Sequence, residues 1–274
     1  MSLCSPQTRL FADEVLSAYR ARRQIAPLTA LEPTFSMADA EKVGHEVARR
    51  RMAAGEVVIG RKIGFTNRTI WEEYGVYSPI WGPVYATTHR DVDGPRTVDI
   101  GHLVEPRIEP EIVLGFKAPV TADMDERAIL GAVGWVAHGF EIVQSLFPGW
   151  RFQGADCQAA FGLHGALFCG PRTPVTGDPD RWMAALTGFA ITLFRDGERL
   201  DRGIAANVLD GPLSAVRHLA GVLAADREAT PIAAGEIITT GTVTRAFPVA
   251  PGETWSTEVE GIDVRPMRLT FAAP

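Results

Sequence analysis

The stretch "RIEPEIVLGF", residues 107–116, is the one on which the reading of the whole chain turns. Its apolar run reads as a strand, and Glu109 and Glu111 lie two apart in it, so both side chains project from one face. Two acids side by side on a buried face repel each other unless something positive lies between them, and an uncompensated buried acid takes up a proton instead. A divalent cation is the economical answer. A third acid, Glu141 in "HGFEIV", also sits among apolar neighbours. Three carboxylates, with the remaining positions left to water and substrate, suit Mg²⁺ or Mn²⁺ and do not suit structural zinc. The alternative is that Glu109 and Glu111 lie on the wet face of an edge strand with Arg107 as counter-charge, and spacing alone does not separate the two readings.

Outward from this strand, "EVVIGRKIGF", "FGLHGALFCG", "GFAITLFRDG", "GEIITTGTV" and "GIDVRPMRLTF" are further β-prone runs separated by Gly, Pro and Asp turn signals. They predict a largely antiparallel β-rich body over residues 56–274. "MDERAILGAVGWVAHGFEIV" (124–143) and "GPLSAVRHLAGVLAADRE" (211–228) read as helices between them, the second with Leu213, Val216, Leu219 and Leu223 along one side. Residues 1–55 form an N-terminal helical part. Leu10, Phe11, Val15, Leu16 and Tyr19 recur at helical spacing there, and a second helix is capped by Ser36, runs to about Ala53 and stops at Gly55. The fold class is α+β, one integrated unit with a subdomain boundary near residue 55.

The bulk properties narrow the function. A formal charge of −6 spread over 274 residues gives no basic stripe for nucleic acid and no polybasic or amphipathic segment for a membrane surface. No apolar run is long enough to span a bilayer, and the opening residues lack the apolar core of a secretion signal. Cys4, Cys157 and Cys169 are too few and too irregularly spaced for a disulfide framework or a zinc site, which suits a reducing cytoplasm.

Two more segments carry chemistry. In "GRKIGF", Lys62 lies between apolar runs and precedes Gly64, as an inward lysine beside a close backbone approach would, while Arg61 faces the other way. Such a lysine binds a carboxylate or carries protons, the more readily when burial or a metal depresses its pKa. In "GTVTRAFPVAPGE" and the residues before it, Thr239, Thr240, Gly241 and Thr242 present hydroxyls and N–H groups able to receive an anionic oxygen, although a Thr-rich turn has the same composition.

In order, "KIGFT", "SPIWG", "RIEPEIVLGF", "FEIVQS", "GADCQAAFGLHGALFCG", "DGPLSAVRHLA" and "AGEIITTGTVTRAFPVAPGE" resemble the hydratase/decarboxylase branch of the fumarylacetoacetate hydrolase superfamily, over nearly the whole chain from about residue 40. The resemblance implies a β-rich fold of mixed, rolled sheets around Mg²⁺ or Mn²⁺. Glu109, Glu111 and Glu141 would be the metal set and Lys62 the active-site lysine. Thr242, with Gly241 beside it, becomes the contact to a substrate carboxylate, and Ile80 and Gln144 fall at substrate-facing positions. The implied reaction is hydration of a 2-hydroxy-2,4-dienoate to a 4-hydroxy-2-oxo acid. A homo-oligomer, associated with another enzyme of a meta-cleavage pathway, is implied as well.

The departures lie around the cavity. "VQSL" stands where the family commonly has "VDSR", Ile80 where hydratases often have Asp, and Cys157 and Gln158 in place of an "ADN"-like element. Decarboxylation of a 4-oxalocrotonate-type diacid, C–C hydrolysis of an acylpyruvate, and a catalytically silent partner subunit are the other readings. Hydrolysis would want a His–Glu dyad, and "TNRTIWEEYG" offers Glu72 and Glu73 without a histidine. His138 and His164 are read as packed or hydrogen-bonded structural residues, and Cys157 has no evident base partner.

Overall fold

The computed structural model describes residues 5–273, so Cys4 lies outside the described residues and every count below refers to that range. It begins with α1 (Pro6–Ala21), α2 (Leu28–Leu31) and α3 (Met37–Ala53). Ser5 accepts the Thr8 N–H and Pro6 occupies the first turn of α1, while Ser36 and Asp39 cap α3 reciprocally. Gly55, at φ +96°, takes the left-handed turn that ends the segment. The apolar faces of these helices, among them Phe11, Val15, Leu16, Val43 and Val47, pack against Leu146, Phe147, Ala159, Phe161 and Leu163. The N-terminal helices therefore share a core with residues 146–163.

Beyond residue 55 the chain forms β1 (Val58–Gly64), a short α4 (Trp71–Tyr74), β2 (Ile80–Tyr85), β3 (His89–Asp91), β4 (Arg96–Val98) and β5 (Arg107–Phe116). Next come α5 (Glu126–Ala132), β6 (Val133–Val143), α6 (Gly154–Ala159), β7 (His164–Cys169), β8 (Thr173–Pro174) and α7 (Pro179–Gly188). The last elements are β9 (Ala190–Arg195), β10 (Glu198–Ile204), α8 (Pro212–Ala225), β11 (Ile237–Thr242), β12 (Phe247–Pro248), β13 (Thr254–Glu260) and β14 (Arg268–Phe271). A nine-stranded sheet runs β2-β1-β11-β5-β6-β7-β3, with β12 added to β5 and β8 to β6, and a five-stranded sheet runs β10-β9-β13-β14-β4. Most pairs are antiparallel, but β1/β11, β3/β7 and β4/β14 are parallel, which makes both sheets mixed.

One expectation fails. Residues 124–143 read as a helix, yet helix α5 stops at Ala132 and residues 133–143 are the long strand β6. Strand β6 lies between β5 and β7 and is buried on both faces from Val136 onward, so it shows no alternation of apolar and polar residues. A continuous apolar run has no period to separate strand from helix, and sheet pairing overrides the helical start. By contrast α8 buries Leu213, Val216, Leu219 and Leu223 as its spacing predicts, packing on α5 and β11.

The register around β5 positions the site. Glu109 lies opposite Glu141 of β6, and Glu111 opposite Gly139. On the other edge Thr242 of β11 faces Glu111, and the ladder then breaks until Phe247 faces Ile108. Pro110 sits at this break, where its missing N–H costs no ladder bond, and its carbonyl accepts the Val243 N–H at 3.3 Å.

Candidate active site

Because 109 and 111 share one face of β5 and Glu141 is the cross-strand neighbour of Glu109, the three carboxylates converge, with one oxygen from each within 4.8 Å of the others. Glu111 and Glu141 are fully buried. One oxygen of each is tied down: Glu111 Oε2 accepts the Gly241 N–H at 2.8 Å, and Glu141 Oε1 accepts from His164 Nδ1 at 2.7 Å. The other two, Glu111 Oε1 and Glu141 Oε2, are buried with no hydrogen-bond partner. Lys62 reaches in from β1, its Nζ donating to the Gly162 carbonyl at 3.0 Å and standing 3.4 Å from Glu141 Oε2. With every group ionised, three acids and one ammonium leave two negative charges, the complement of one divalent cation. Buried acceptors without donors, in an all-oxygen set, fit Mg²⁺ or Mn²⁺.

The electrostatics show the same imbalance. Burial pushes the Glu109 carboxyl up to about 7 against the pull of Lys62. Burial raises Glu111 well above the usual carboxylate range, with Glu141 and Glu109 adding to it. Burial acts on Glu141 in the same sense, yet Lys62 and His164 hold it below its ordinary value. For Lys62, burial alone would lower the pKa, but the Glu141, Glu109 and Glu111 carboxylates keep it raised. The depressed lysine expected from burial is therefore not what the acids allow while no cation offsets them.

A pH dependence follows from Glu109. An acid whose pKa is raised on folding keeps a proton that the unfolded chain gives up, so its favourable contribution is complete below the ordinary value of 4.5 and is lost as pH rises through about 7. The rise in Tm on adding Mg²⁺ is thus expected to be larger near pH 7.5 than near pH 5, with Glu109→Gln shrinking the difference. Thermal melts in chelator and in Mg²⁺ check this, and equal shifts at both pH values contradict it.

Gly241 is required twice over. It sits at φ +97°, and a Cβ there would lie 2.0 Å from Thr66 Oγ1, while its N–H holds Glu111. Gly241→Ala is expected to destabilise the fold by about 1–3 kcal/mol and to weaken divalent-cation binding. Calorimetry and Mn²⁺ titration test this, and a variant that melts and binds like the parent contradicts it.

Beside the acids lies a cavity of ≈ 150 Å³. Its polar lining comes from Lys62, Thr66, Asn67, Tyr74, Arg107, Glu109, Cys157 and Thr242, and its apolar wall includes Phe65, Ile70, Trp150, Phe152 and Leu163. The aromatic rings brace one another, Tyr74 lying 5.2 Å from Phe65 and 5.3 Å from Phe152.

The sequence-predicted residues divide cleanly by position. Lys62, Glu109, Glu111, Glu141, Gly241 and Thr242 come together, with Thr242 Oγ1 turned to the Thr244 carbonyl at 3.2 Å. Ile80 and Gln144 do not line the cavity. Ile80 packs in the core of the N-terminal helices, and Gln144 accepts the Val104 N–H and donates to the His164 carbonyl. Arg61 faces away, as expected, and pairs with Glu236 at 3.3 Å. His138 is structural: its Nδ1 donates to the Glu111 carbonyl and its Nε2 accepts from Thr257, and burial pushes its pKa down to about 4. Burial pushes the Cys157 thiol up to about 12, which leaves it protonated and a poor nucleophile. His164 was read as hydrogen-bonded; the partner is one of the three acids, which its position in the sequence did not disclose. The aromatic wall and Arg107 were not singled out as cavity residues either, because loops and strand ends far apart in the chain supply them.

Two buried glutamates beside a half-buried third, an inward lysine and an aromatic cavity on mixed curled sheets define a candidate divalent-cation site beside a small cavity. No family model matches the chain. It is 30% identical over 252 residues to 2-keto-4-pentenoate hydratase of Paraburkholderia phymatum, covering 92% of this chain and 93% of that protein. It is 29% identical over 262 residues to 4-oxalocrotonate decarboxylase of Pseudomonas sp. strain CF600, covering 95% and 96%. Among solved structures, 4-oxalocrotonate decarboxylase from Pseudomonas putida G7, complexed with magnesium and adipate, superposes with a TM-score of 0.87 at 27% identity over 97% of both chains. The chain belongs to the hydratase/decarboxylase branch of the fumarylacetoacetate hydrolase superfamily.

Proposed function

We propose that the protein is a divalent-metal-dependent hydratase (hydro-lyase) that adds water to a 2-hydroxy-2,4-dienoate and gives a 4-hydroxy-2-oxo acid. The observation that carries this reading is the pair of buried, unpartnered carboxylate oxygens, Glu111 Oε1 and Glu141 Oε2, beside Lys62 and the cavity. Glu109, Glu111 and Glu141 would hold Mg²⁺ or Mn²⁺, which when bound supplies Lewis-acid stabilisation to the carboxylate and C2 oxygen of a 2-oxo acid. Lys62 lines the cavity with its Nζ 3.4 Å from Glu141 Oε2, so it is assigned the general acid–base role: delivering the proton to the far end of the dienol, after which water adds at C4. Phe65, Trp150 and Phe152 exclude bulk water from the dienol, and the Thr242 hydroxyl is assigned to receive the substrate carboxylate, turning to it from the Thr244 carbonyl. Curated hydratase relatives over most of the chain support this choice, and the decarboxylase relatives make decarboxylation of a 4-oxalocrotonate-type diacid the second reading.

The same proposal includes a cytoplasmic setting, self-association, and work beside another enzyme of meta-cleavage catabolism. The test of the chemistry is product analysis. With Mg²⁺, 2-hydroxypenta-2,4-dienoate is expected to lose its dienol absorbance and give 4-hydroxy-2-oxopentanoate, and chelator is expected to stop the reaction. Release of CO₂ from 4-oxalocrotonate without hydration of the dienoate would favour the second reading.

A further inference from the structure

His164 touches a carboxylate of the metal set without belonging to that set or to the proton transfer. It opens β7, and simple alternation would send its side chain to the face opposite Leu167, the residue paired with Glu141. A bulge prevents this. Ala166 pairs with Ile142 but His164 with Val143, so Gly165 is an extra residue on β7 and His164 returns to the face of Val143 and Glu141. Gly165 allows the close approach, since a Cβ there would lie 2.6 Å from the Ile142 carbonyl oxygen. The imidazole is buried and engaged at both nitrogens: Nδ1 bonds Glu141 Oε1 at 2.7 Å, and Nε2 lies 2.8 Å from Thr88 Oγ1. A carboxylate offers only lone pairs, so Nδ1 carries the hydrogen. The Thr88 hydroxyl also lies 3.1 Å from the Tyr85 carbonyl, which already accepts the Thr88 N–H, so it can turn to Nε2 without leaving that oxygen unpaired. Thr88 thereby holds the far edge of the ring.

The consequence falls on Glu141. Its Oε1 is committed to His164, while Oε2 is buried without a hydrogen-bond partner, 3.4 Å from Lys62 Nζ. Glu111 is divided in the same way, with Oε2 on the Gly241 N–H and Oε1 unpartnered. Two of the three acids therefore have one oxygen each to give. Ca²⁺ gathers about six to eight oxygens, often two from one carboxylate, whereas Mg²⁺ and Mn²⁺ are satisfied by an octahedron of single contacts. From this we infer that His164 is a positioning residue that sets the metal preference of the site: by holding Glu141 Oε1 it makes Glu141 a one-oxygen ligand and favours a small octahedral cation over Ca²⁺. The inference rests on the metal-dependent reading of the three glutamates. It also gives "HG" at 164–165 a reason, the histidine as the anchor and the glycine for the bulge that aims it.

The test is competition for the site in the chelator-treated protein, with Mn²⁺ followed by electron paramagnetic resonance and Ca²⁺ as the competitor. Ca²⁺ is expected to displace Mn²⁺ from the parent only at about tenfold or greater excess. His164→Leu removes the donor and frees Oε1, and it is expected to weaken Mn²⁺ by about 10- to 100-fold but Ca²⁺ by less than about threefold, so that the preference closes. His164→Asn places an amide N–H near the position of Nδ1 and is expected to keep most of the parental preference, which restored packing alone would not do. Thr88→Val leaves the ring in place without its far support and is expected to shift the preference the same way by about threefold. Equal losses of Mn²⁺ and Ca²⁺ in His164→Leu would make the histidine merely structural and overturn the inference. Where circular dichroism shows that His164→Leu does not fold, an unchanged preference in Thr88→Val overturns it instead. The metal reading survives either result, whereas a folded parent protein that binds neither ion overturns that reading and the inference together.

Discussion

Glu111→Gln is expected to lower turnover of a 2-hydroxy-2,4-dienoate by about a thousandfold or more, the several kcal/mol that Lewis-acid stabilisation supplies in such sites. Glu111 is fully buried and held between Gly241 and the other two acids. Gln keeps its shape and its acceptor for the Gly241 N–H, but where Glu111 Oε1 has no partner it offers either an NH₂ group or a neutral oxygen. It also removes one of the two net negative charges that match a divalent cation. Divalent-cation affinity should therefore fall with turnover, while the far-UV spectrum and Tm in chelator remain close to the parent or rise, since a raised-pKa acid has been relieved. Steady-state kinetics over a range of Mg²⁺ concentrations decide the matter. A variant that recovers full activity at parental Mg²⁺ would show that Glu111 is only a structural acid.

The second large effect concerns Lys62. Lys62→Met is expected to reduce kcat by about 10²- to 10⁴-fold, the usual worth of a positioned proton donor or acceptor. Here cation binding should move the other way. Lys62 Nζ competes with a bound cation for Glu141 Oε2, 3.4 Å away, and its removal leaves the acids more negative. Mn²⁺ should bind Lys62→Met as tightly as the parent or more so, in contrast to Glu111→Gln. The split between lost turnover and retained metal separates a proton-handling lysine from one that only neutralises the acid cluster. If turnover survives in Lys62→Met, the acid–base assignment falls and the metal assignment stands.

How much of this was legible in the sequence depends on which interactions are local. Helices α1 and α3 carry their own caps, α8 opens on Pro212, and all three carry apolar stripes, so their placement follows from a few adjacent residues. The spacing of Glu109 and Glu111 gives their common face directly, because strand alternation is a property of the backbone. Strand β6 was misread because a strand buried on both faces has no alternation to report, and the identity of its partners, β5 and β7, is not written within it. That pairing is what places Glu141 opposite Glu109, so the site's assembly rested on the resemblance rather than on spacing. Arg107 and His164 had the same difficulty. Arg107 looks like an ordinary strand-end counter-charge until its guanidinium is found over the Trp150 ring at the cavity, and His164 becomes informative only once its ring is found 2.7 Å from Glu141. "FGLHG", which leads from α6 into the start of β7, was the available signal. Ile80 and Gln144, given substrate-facing positions by the resemblance, are engaged here in packing and in backbone hydrogen bonds, which their sequence context does not disclose.

The most direct test of the account is a titration of the chelator-treated protein with Mn²⁺, with the free ion followed by electron paramagnetic resonance. The account predicts one Mn²⁺ per chain, displaced by excess Mg²⁺, and loss of that binding in Glu109→Gln/Glu111→Gln with the fold retained by circular dichroism. Undiminished binding in the double variant, or a folded parent protein that takes up no Mn²⁺, would contradict the claim that the three glutamates form a divalent-cation site.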